Sequence, residues 1–392
     1  LYYIDDNHKD SLGHIQYFKY QGQEGSMHLD PFTIDNLELF KTVSSTNKKA
    51  TLIHTIDETR TSAGSRLLKK YLKRPLFDNK RIKLRQDRVS ELIKDSDLRS
   101  TLSDLLNEVF DVERIISRVS SNKTNPRDLI NLKNSLMNIV AIKKVIKKKH
   151  LALYKLQKEF ENVTKIINEI SKTIDEDAPV NMSNGGYIKD GYSKELDRIR
   201  GLSNNSKQWL IDLQNKEQKK NNIPSLKIKY NKVFGYYIEV TKAHTDKIPD
   251  YFIRKQTLVN AERYFTEELK DFEDTILSSN EDLVRLELSI FENLVEYIML
   301  NSKNILKNAN ILSKIDVCLG FSDIAIKNNY CRPDINNKQE IDLIESRHPV
   351  IEQLLDVDDN FISNDVNLNA KFKQIAVITG PNMAGKNTFL RQ

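Results

Sequence analysis

The sequence predicts a mainly α protein carrying a small β insertion and the start of an α/β domain built on a phosphate-binding loop. Three observations predict it. Apolar residues recur at three- and four-residue steps through most of the 392 residues, which is the helical period. After Pro224 the period switches to two. The last stretch, Gln374 to Gln392, reads as an apolar run, a glycine loop and the beginning of a helix. Only twelve glycines and nine prolines interrupt the chain, so long helices are favoured over a many-stranded sheet.

Composition narrows the class. With 39% hydrophobic and 30% charged residues the chain is of soluble globular type, and its length supports two or three cores. Two cysteines, Cys318 and Cys331, are too few for a disulfide framework and lack metal-ligand spacing, so a reducing cytoplasm is the simplest setting. No apolar run approaches the roughly 20 residues that span a bilayer, and the first residues form no basic-then-apolar leader. A net charge of +6 permits nucleic-acid binding without arguing for it.

Taken in order, residues 1 to about 25 mix Tyr, His, Gln and Gly without a period and are expected to be poorly tied down. Thr61 or Ser62 caps a helix that runs through Leu67, Leu68 and Leu72 and stops before Pro75. Its basic residues, Arg60, Arg66, Lys69, Lys70, Lys73 and Arg74, read first as a solvated helix face and second as a DNA contact. From Arg81 to about Asp175 the spacing is that of amphipathic helices, as in Leu129, Leu132, Leu136, Ile139 and Val140, with Pro126 at a helix start. The lysines from Lys143 to Lys149 suit a helix C-terminus, whose dipole they complement.

Asn184-Gly185-Gly186 and Asp190-Gly191 are turns, and a helix resumes from Glu195 to about Lys220 until Pro224 stops it. Then Leu226, Ile228 and Tyr230 alternate with Lys227, Lys229 and Asn231, and a second alternating run covers Tyr236 to Thr241. Glu262 to Lys270 reads as the return to helix. The steps Leu283, Leu286, Ile290, Leu294 and Ile298 continue towards Leu319, an arm of about 60 Å if unbroken. Near Asn336 the composition shifts, with Ile341 to Ile344 as a strand and Ser346 to Val350 as a turn in which His348 has a structural role.

Charge is concentrated in the β insertion. Residues 216 to 255 hold ten Lys or Arg against four acids. Lys227, Lys229, Lys232 and Lys242 lie on or beside the alternating strands, with Arg254 following, whereas Lys216, Lys219 and Lys220 belong to the approaching helix. Basic residues interleaved with Tyr236, Tyr237 and Tyr251 suit sequence-independent neutralisation of phosphates.

The final stretch has the residues a phosphate loop needs. Ile375 to Ile378 is the apolar strand, and Gly380, Gly385 and Lys386 stand at the required spacing before a helix through Thr388. Glycines let backbone N–H groups converge on phosphate oxygens while the lysine reaches the outer phosphates. The position that usually supplies a Mg²⁺-binding hydroxyl is Asn387.

Pro381-Asn382-Met383 between those glycines resembles the MutS family of DNA mismatch repair ATPases. Phe234 to Thr241, Arg254 to Tyr264, Asp57 to Leu68, Asp35 to Leu39 and Ser346 to Val350 carry the same resemblance, which thus covers nearly the whole chain. It implies the tail of a connector over 1–25, core and lever helices over 26–209, a β-rich DNA clamp tip over 210–270, returning lever helices over 271–335, and a truncated ATPase start over 336–392. An internal piece is implied, without the mismatch-reading domain and most of the ATPase. The implied cofactors are ATP and Mg²⁺, with ATP held by Gly380, Pro381, Asn382, Met383, Ala384, Gly385, Lys386, Asn387 and Thr388, and its adenine stacked on Phe361. Asn387 replaces the family's serine and puts the metal in doubt. An intact member would be a Mg-dependent ATPase; this stretch alone is expected to be inactive, since only six residues follow Lys386. The implied partners are mismatch-containing duplex DNA, a second copy of the protein and a MutL-type repair protein, in a bacterial cytoplasm and associated with the nucleoid. The alternative is a helical-arm phosphate-loop ATPase of chromosome-maintenance or transporter type, whose arms would carry heptads where this chain has a basic β tip.

Overall fold

The protein is described from a computed structural model, which describes residues 25–43, 48–231, 235–355, 360–381 and 385–392. The segment 1–25 expected to be a connector tail lies outside them except for Gly25. Chain contacts divide the molecule into two units, the first comprising Leu1–Lys123, Asn131–Thr164 and Asn301–Gln392, the second Thr124–Ile130 and Lys165–Leu300. Among the described residues no helix is long and apolar enough to cross a membrane.

In chain order the helices that precede the sheet are α1 (Pro31–Asn36), α2 (Leu52–Ile56), α3 (Ser62–Lys73), α4 (Asn79–Lys94), α5 (Ser96–Asn107), α6 (Val112–Ser120), α7 (Pro126–Val145), α8 (Leu151–Gln157), α9 (Thr164–Thr173) and α10 (Lys194–Asn221). Strands β1 (Lys227–Asn231), β2 (Gly235–Thr241), β3 (Ile253–Thr257) and β4 (Ala261–Phe265) follow, then α11 (Glu267–Leu300) and α12 (Ser302–Lys327). The chain closes with β5 (Glu340–Ser346), α13 (Pro349–Glu352), β6 (Asn364–Asn369) and α14 (Lys386–Arg391). The architecture is mainly α with a small β insertion, as the periodicity predicts.

The first unit is built around α12. Ile305, Ile311, Leu312, Ile315, Val317, Cys318, Leu319 and Ile324 are all buried, and from Ile311 to Gly320 the helix is enclosed on nearly every side, the mark of a helix at the centre of a core. Helices α3, α4, α5 and α6 pack around it. Short acidic or hydroxyl side chains set where these helices begin: Thr61, Asp78, Asp95 and Asp111 each accept from a first-turn N–H of the helix they cap. A cap of this kind is worth ~1 kcal/mol.

The stretch from Asp57 to Leu68 is a joint onto α12. Asp316, fully buried, accepts from Arg60 N at 2.8 Å, Thr61 N at 2.9 Å and Thr61 Oγ1 at 2.6 Å. The same Thr61 hydroxyl accepts from Gly64 N at 3.0 Å and so caps α3. Gly64 and Gly320 allow the close approach, since a Cβ on Gly64 would collide with the Asp316 carboxylate and one on Gly320 would press on the Glu58 backbone at 3.1 Å. Arg60 pairs with Asp323, and Arg66 makes a bidentate pair with Asp111 and a further bond to Glu113. Two of the six basic residues of this region are therefore structural, while Lys69, Lys70, Lys73 and Arg74 form an exposed face.

In the second unit α10 packs against α11, a helix of 34 residues, about 50 Å long. Glu287 ties them together: fully buried on α11, it pairs with Arg200 of α10 at 2.6 Å and accepts from Gly186 N at 2.8 Å in the turn before α10. Three features differ from the sequence expectation. The helical run from Ile276 towards Leu319 breaks at Asn301, where Leu300 is exposed and a new helix starts. Glu262 to Phe265 is strand rather than returning helix, because Tyr264 points into the core while its neighbour Arg263 turns to the other face, opposite Glu239. Ile375 to Ile378 forms no strand; no described residue pairs with its backbone, and Ile375 and Val377 are both 84% exposed. A strand exists only through its ladder partners, and the nearby β5 and β6 pair with each other.

Candidate nucleic-acid interface and phosphate loop

The four-stranded sheet has the order β1-β2-β4-β3 and is antiparallel throughout. Alternation assigns its two faces. Ile238, Val240 and Tyr264 pack inward with Leu213, Ile223, Leu226, Phe252 and Leu269, and Tyr236 and Trp209 close the edge of this core. Register places Lys227 opposite Glu239, Glu239 opposite Arg263, and Arg263 opposite Gln256. These four residues, with Lys229 opposite Tyr237, therefore make the outward face.

On that face Arg263 is the organising cation. Its guanidinium lies 4.4 Å from the centre of the Tyr237 ring, and it donates to Gln256 Oε1 at 2.8 Å. Lys229 donates to Glu239 Oε1 at 2.7 Å, and that bond holds the Lys229 ammonium above its ordinary pKa. Lys227 and Arg254 are exposed on β1 and β3, and Lys242 is exposed at the first position of the short helical turn Lys242–Lys247. None of the described ion pairs includes any of these three. A bulge between Arg254 and Gln256 leaves Lys255 as the extra residue and bends the edge strand.

The sequence expectation needs two corrections here. Tyr236, Tyr237 and Tyr251 do not interleave with the basic residues on one face. Tyr236 stands inward, its ring 5.0 Å from Tyr230 and 6.4 Å from Phe272; Tyr237 is buried beneath Arg263; Tyr251 gives its hydroxyl to Glu217 at 2.7 Å. Arg263, absent from the residues expected there, lies on the same face as Lys227 and Lys229. Its alternation with Tyr264 was the available signal, hidden by the acidic helix start that follows at Glu267. Lys216, Lys219 and Lys220 lie on α10 as expected, and Lys232 lies outside the described residues.

The stretch expected to be a phosphate loop is described at its two ends. Gly385 adopts a left-handed backbone, φ 86°, and caps α14. Lys386 Nζ donates back to Gly380 O at 2.6 Å, so the lysine closes over the loop's first glycine. Asn382, Met383 and Ala384 lie outside the described residues; Pro381 and Asn387 are exposed and Thr388 is half-buried. The helix is anchored behind the loop by Arg391, which pairs with Glu38 at 2.8 Å, and by Gln392, which donates to Ser346 O at 2.6 Å. Asn364 bonds Gln392 at 3.3 Å, which brings the start of β6 to this anchor; Phe361, half-buried, lies three residues before it. His348 Nδ1 accepts from Val350 N and Ile351 N and caps α13, and burial lowers its pKa. It is a structural histidine.

The family described as MutS domain III matches residues 32–322, which include the joint at Asp316, both long helices and the basic sheet. The chain belongs to the MutS family. It is 38% identical over its whole length to the DNA mismatch repair protein MutS of Salinibacter ruber, 40% identical to that of Ruminiclostridium cellulolyticum, and 39% identical to that of Bacteroides fragilis. It spans 43% of the first of these relatives and 45% of the other two, less than half their length. The MutS domain III match over the arms and sheet decides against the alternative of a helical-arm protein of chromosome-maintenance or transporter type.

Proposed function

We propose that this chain is the lever and clamp part of a mismatch repair ATPase, joined to the beginning of its nucleotide site. The segment 210–270 is the clamp tip, and Lys227, Lys229, Lys242, Arg254 and Arg263, with Lys232, meet the phosphates of duplex DNA. The observation that carries this reading is the presence of three exposed cations, Lys227, Lys242 and Arg254, outside every described ion pair around one small four-stranded sheet. Phosphate contacts position a protein on DNA without reading its sequence, so the tip would hold matched and mismatched duplexes alike. Mismatch recognition, self-association and docking of a MutL-type partner would belong to the whole protein.

The residues present fit a phosphate at the loop. A Cβ on Gly385 would meet nothing within 4 Å, and Lys386 stands across the opening at Gly380 O. Lys386 would exchange that carbonyl for a phosphate oxygen of ATP, and the N–H groups of the loop, Pro381 having none, would surround it. Thr388 would close the helix side, and Phe361 would stack on the adenine. Bound Mg²⁺ would neutralise the outer phosphates. The Asn387 carboxamide oxygen is a metal donor of acceptable type, bulkier than a hydroxyl.

Binding of a fluorescent duplex at several salt concentrations tests the clamp. Affinity should fall with a log–log slope of about 0.9 per phosphate contact, and Lys227→Ala with Lys242→Ala should flatten the slope by about 2. An unchanged slope would reduce the basic tip to a solvated surface.

A further inference from the structure

The first unit holds a second feature, unrelated to DNA or nucleotide. Helix α4 carries Arg81, Arg85 and Arg88 along one side. Arg85 lies flat over Tyr71 of α3, its guanidinium 3.6 Å from the ring centre, and none of the described ion pairs includes it. Burial pushes the Arg85 pKa down, and the like charges of Arg81 and Arg88 push the same way. Lys314, on α12, is also depressed by burial and by the same two arginines. Arg332, by contrast, is satisfied by Asp87 at 2.8 Å.

Beside Arg85 a cleft of about 570 Å³ opens, walled by Leu72, Val89, Ile93, Phe321 and Ile324. That volume and apolar lining are those of a small-molecule site. The Arg85 guanidinium is half-buried against Tyr71 and is paired with no acidic side chain among the described residues, so a planar anion with an apolar body would give it a counter-charge while filling the cleft. A carboxylate matches a single guanidinium with two parallel hydrogen bonds. A phosphate dianion would leave charge uncompensated among apolar walls.

We propose that this cleft binds a small amphipathic monocarboxylate, its carboxylate on Arg85 and its apolar tail along Leu72, Ile93, Phe321 and Ile324. The chain contains its own reporter. It has two cysteines; Cys331 lines the cleft and is exposed, whereas Cys318 is buried with its thiol pushed up to about 11 by burial. The thiolate is the reactive form, so a soluble aryl disulfide reagent labels Cys331 first.

The experiment follows the labelling rate of Cys331 during titration with octanoate, and separately with 1-octanol. Octanoate should slow labelling saturably, with an apparent Kd at least about tenfold tighter than that of the alcohol. Arg85→Met keeps the length and the apolar contact with Tyr71, and should abolish that preference. Ala325→Phe, which fills the cleft, should remove protection by both ligands. Equal protection by acid and alcohol, a preference that survives Arg85→Met, or no protection at all would overturn the proposal. Octanoate binding gained only when residues 1–24 are deleted would assign the cleft to that segment and overturn it too. Should Arg85→Met fail to fold, the acid-to-alcohol comparison on the unaltered chain still decides.

Discussion

The Asp316 carboxylate occupies the space that a side chain at Gly64 would need. A Cβ built on Gly64 falls within the carboxylate, which cannot retreat because three donors from Arg60 and Thr61 hold it inside the core. The family-like wording from Asp57 to Leu68 is thereby explained as the lock between the N-terminus of α3 and α12.

Gly64→Ala should destabilise the first unit by about 2–4 kcal/mol through overpacking in a site without room to relax. Thermal unfolding followed by circular dichroism measures it. A loss within 0.5 kcal/mol, the usual range for surface substitutions, would mean that the joint yields and that Asp316 is not fixed by its donors.

Glu287 makes the corresponding joint in the second unit. Replacing it with glutamine leaves the guanidinium of Arg200, itself only 17% exposed, with the solvent-exposed Asp190 as its one remaining acidic partner among the described residues. Breaking a buried pair from one side costs about 3–5 kcal/mol. Because Gly186 N and Tyr187 N also depend on this carboxylate, the turn from Asn184 to Gly191 should become the first site cut by a protease in Glu287→Gln. An unchanged digestion pattern would show that the turn is held by other contacts.

Acid should weaken the first unit through two helix-capping aspartates. The Lys149 ammonium, the Leu98 N–H and His150 hold Asp95 well below the usual carboxylate range, and the Arg66 guanidinium lowers Asp111 despite opposing burial. Both folded pKa values lie below the unfolded value. Their stabilisation is therefore complete above an unfolded aspartate's pKa of about 3.9 and is lost as pH falls through the folded values. Asp111→Asn should lower the melting temperature near neutrality and flatten its decline below about pH 4. A decline as steep as in the unaltered chain would assign acid sensitivity elsewhere.

Legibility in the sequence tracked the range of the interactions. Caps such as Thr61 and stops such as Pro75 are local, and the helix they delimit is found where the sequence places it. Leu226, Ile228 and Tyr230 announce the sheet through their period. What the sequence hid depends on residues far apart in the chain. Asp316 looks like a charged residue interrupting an apolar helix until Thr61 is brought to it across 255 positions. Strand β4 is masked by the acidic start of α11, and only its pairing with β2 and β3 reveals Arg263 on the outward face. The apolar run Ile375 to Ile378 has strand composition but no ladder, since composition alone supplies no partner.

Glu239 offers the sharpest test of the basic sheet. It is the acid at the centre of the outward face, within 2.7 Å of Lys229 and 3.8 Å of Arg263. Phosphates approaching that face must compete with it for both cations. Glu239→Gln keeps the shape and a hydrogen-bond acceptor, removes one negative charge and releases the Lys229 ammonium. Affinity for duplex DNA at low salt should therefore rise several-fold, and the log–log salt slope should steepen by roughly 0.9 as one more phosphate contact forms. The gain should be equal for matched and mismatched duplexes, because only backbone charge is involved. Thermal stability should change little, since Lys229 is 47% exposed in this pair and exposed pairs contribute about 0–1 kcal/mol. If Glu239→Gln left both affinity and slope unchanged, the outward face of the sheet would not be the surface that meets DNA, and the contacts would have to come from Lys242 and Arg254 at its edges.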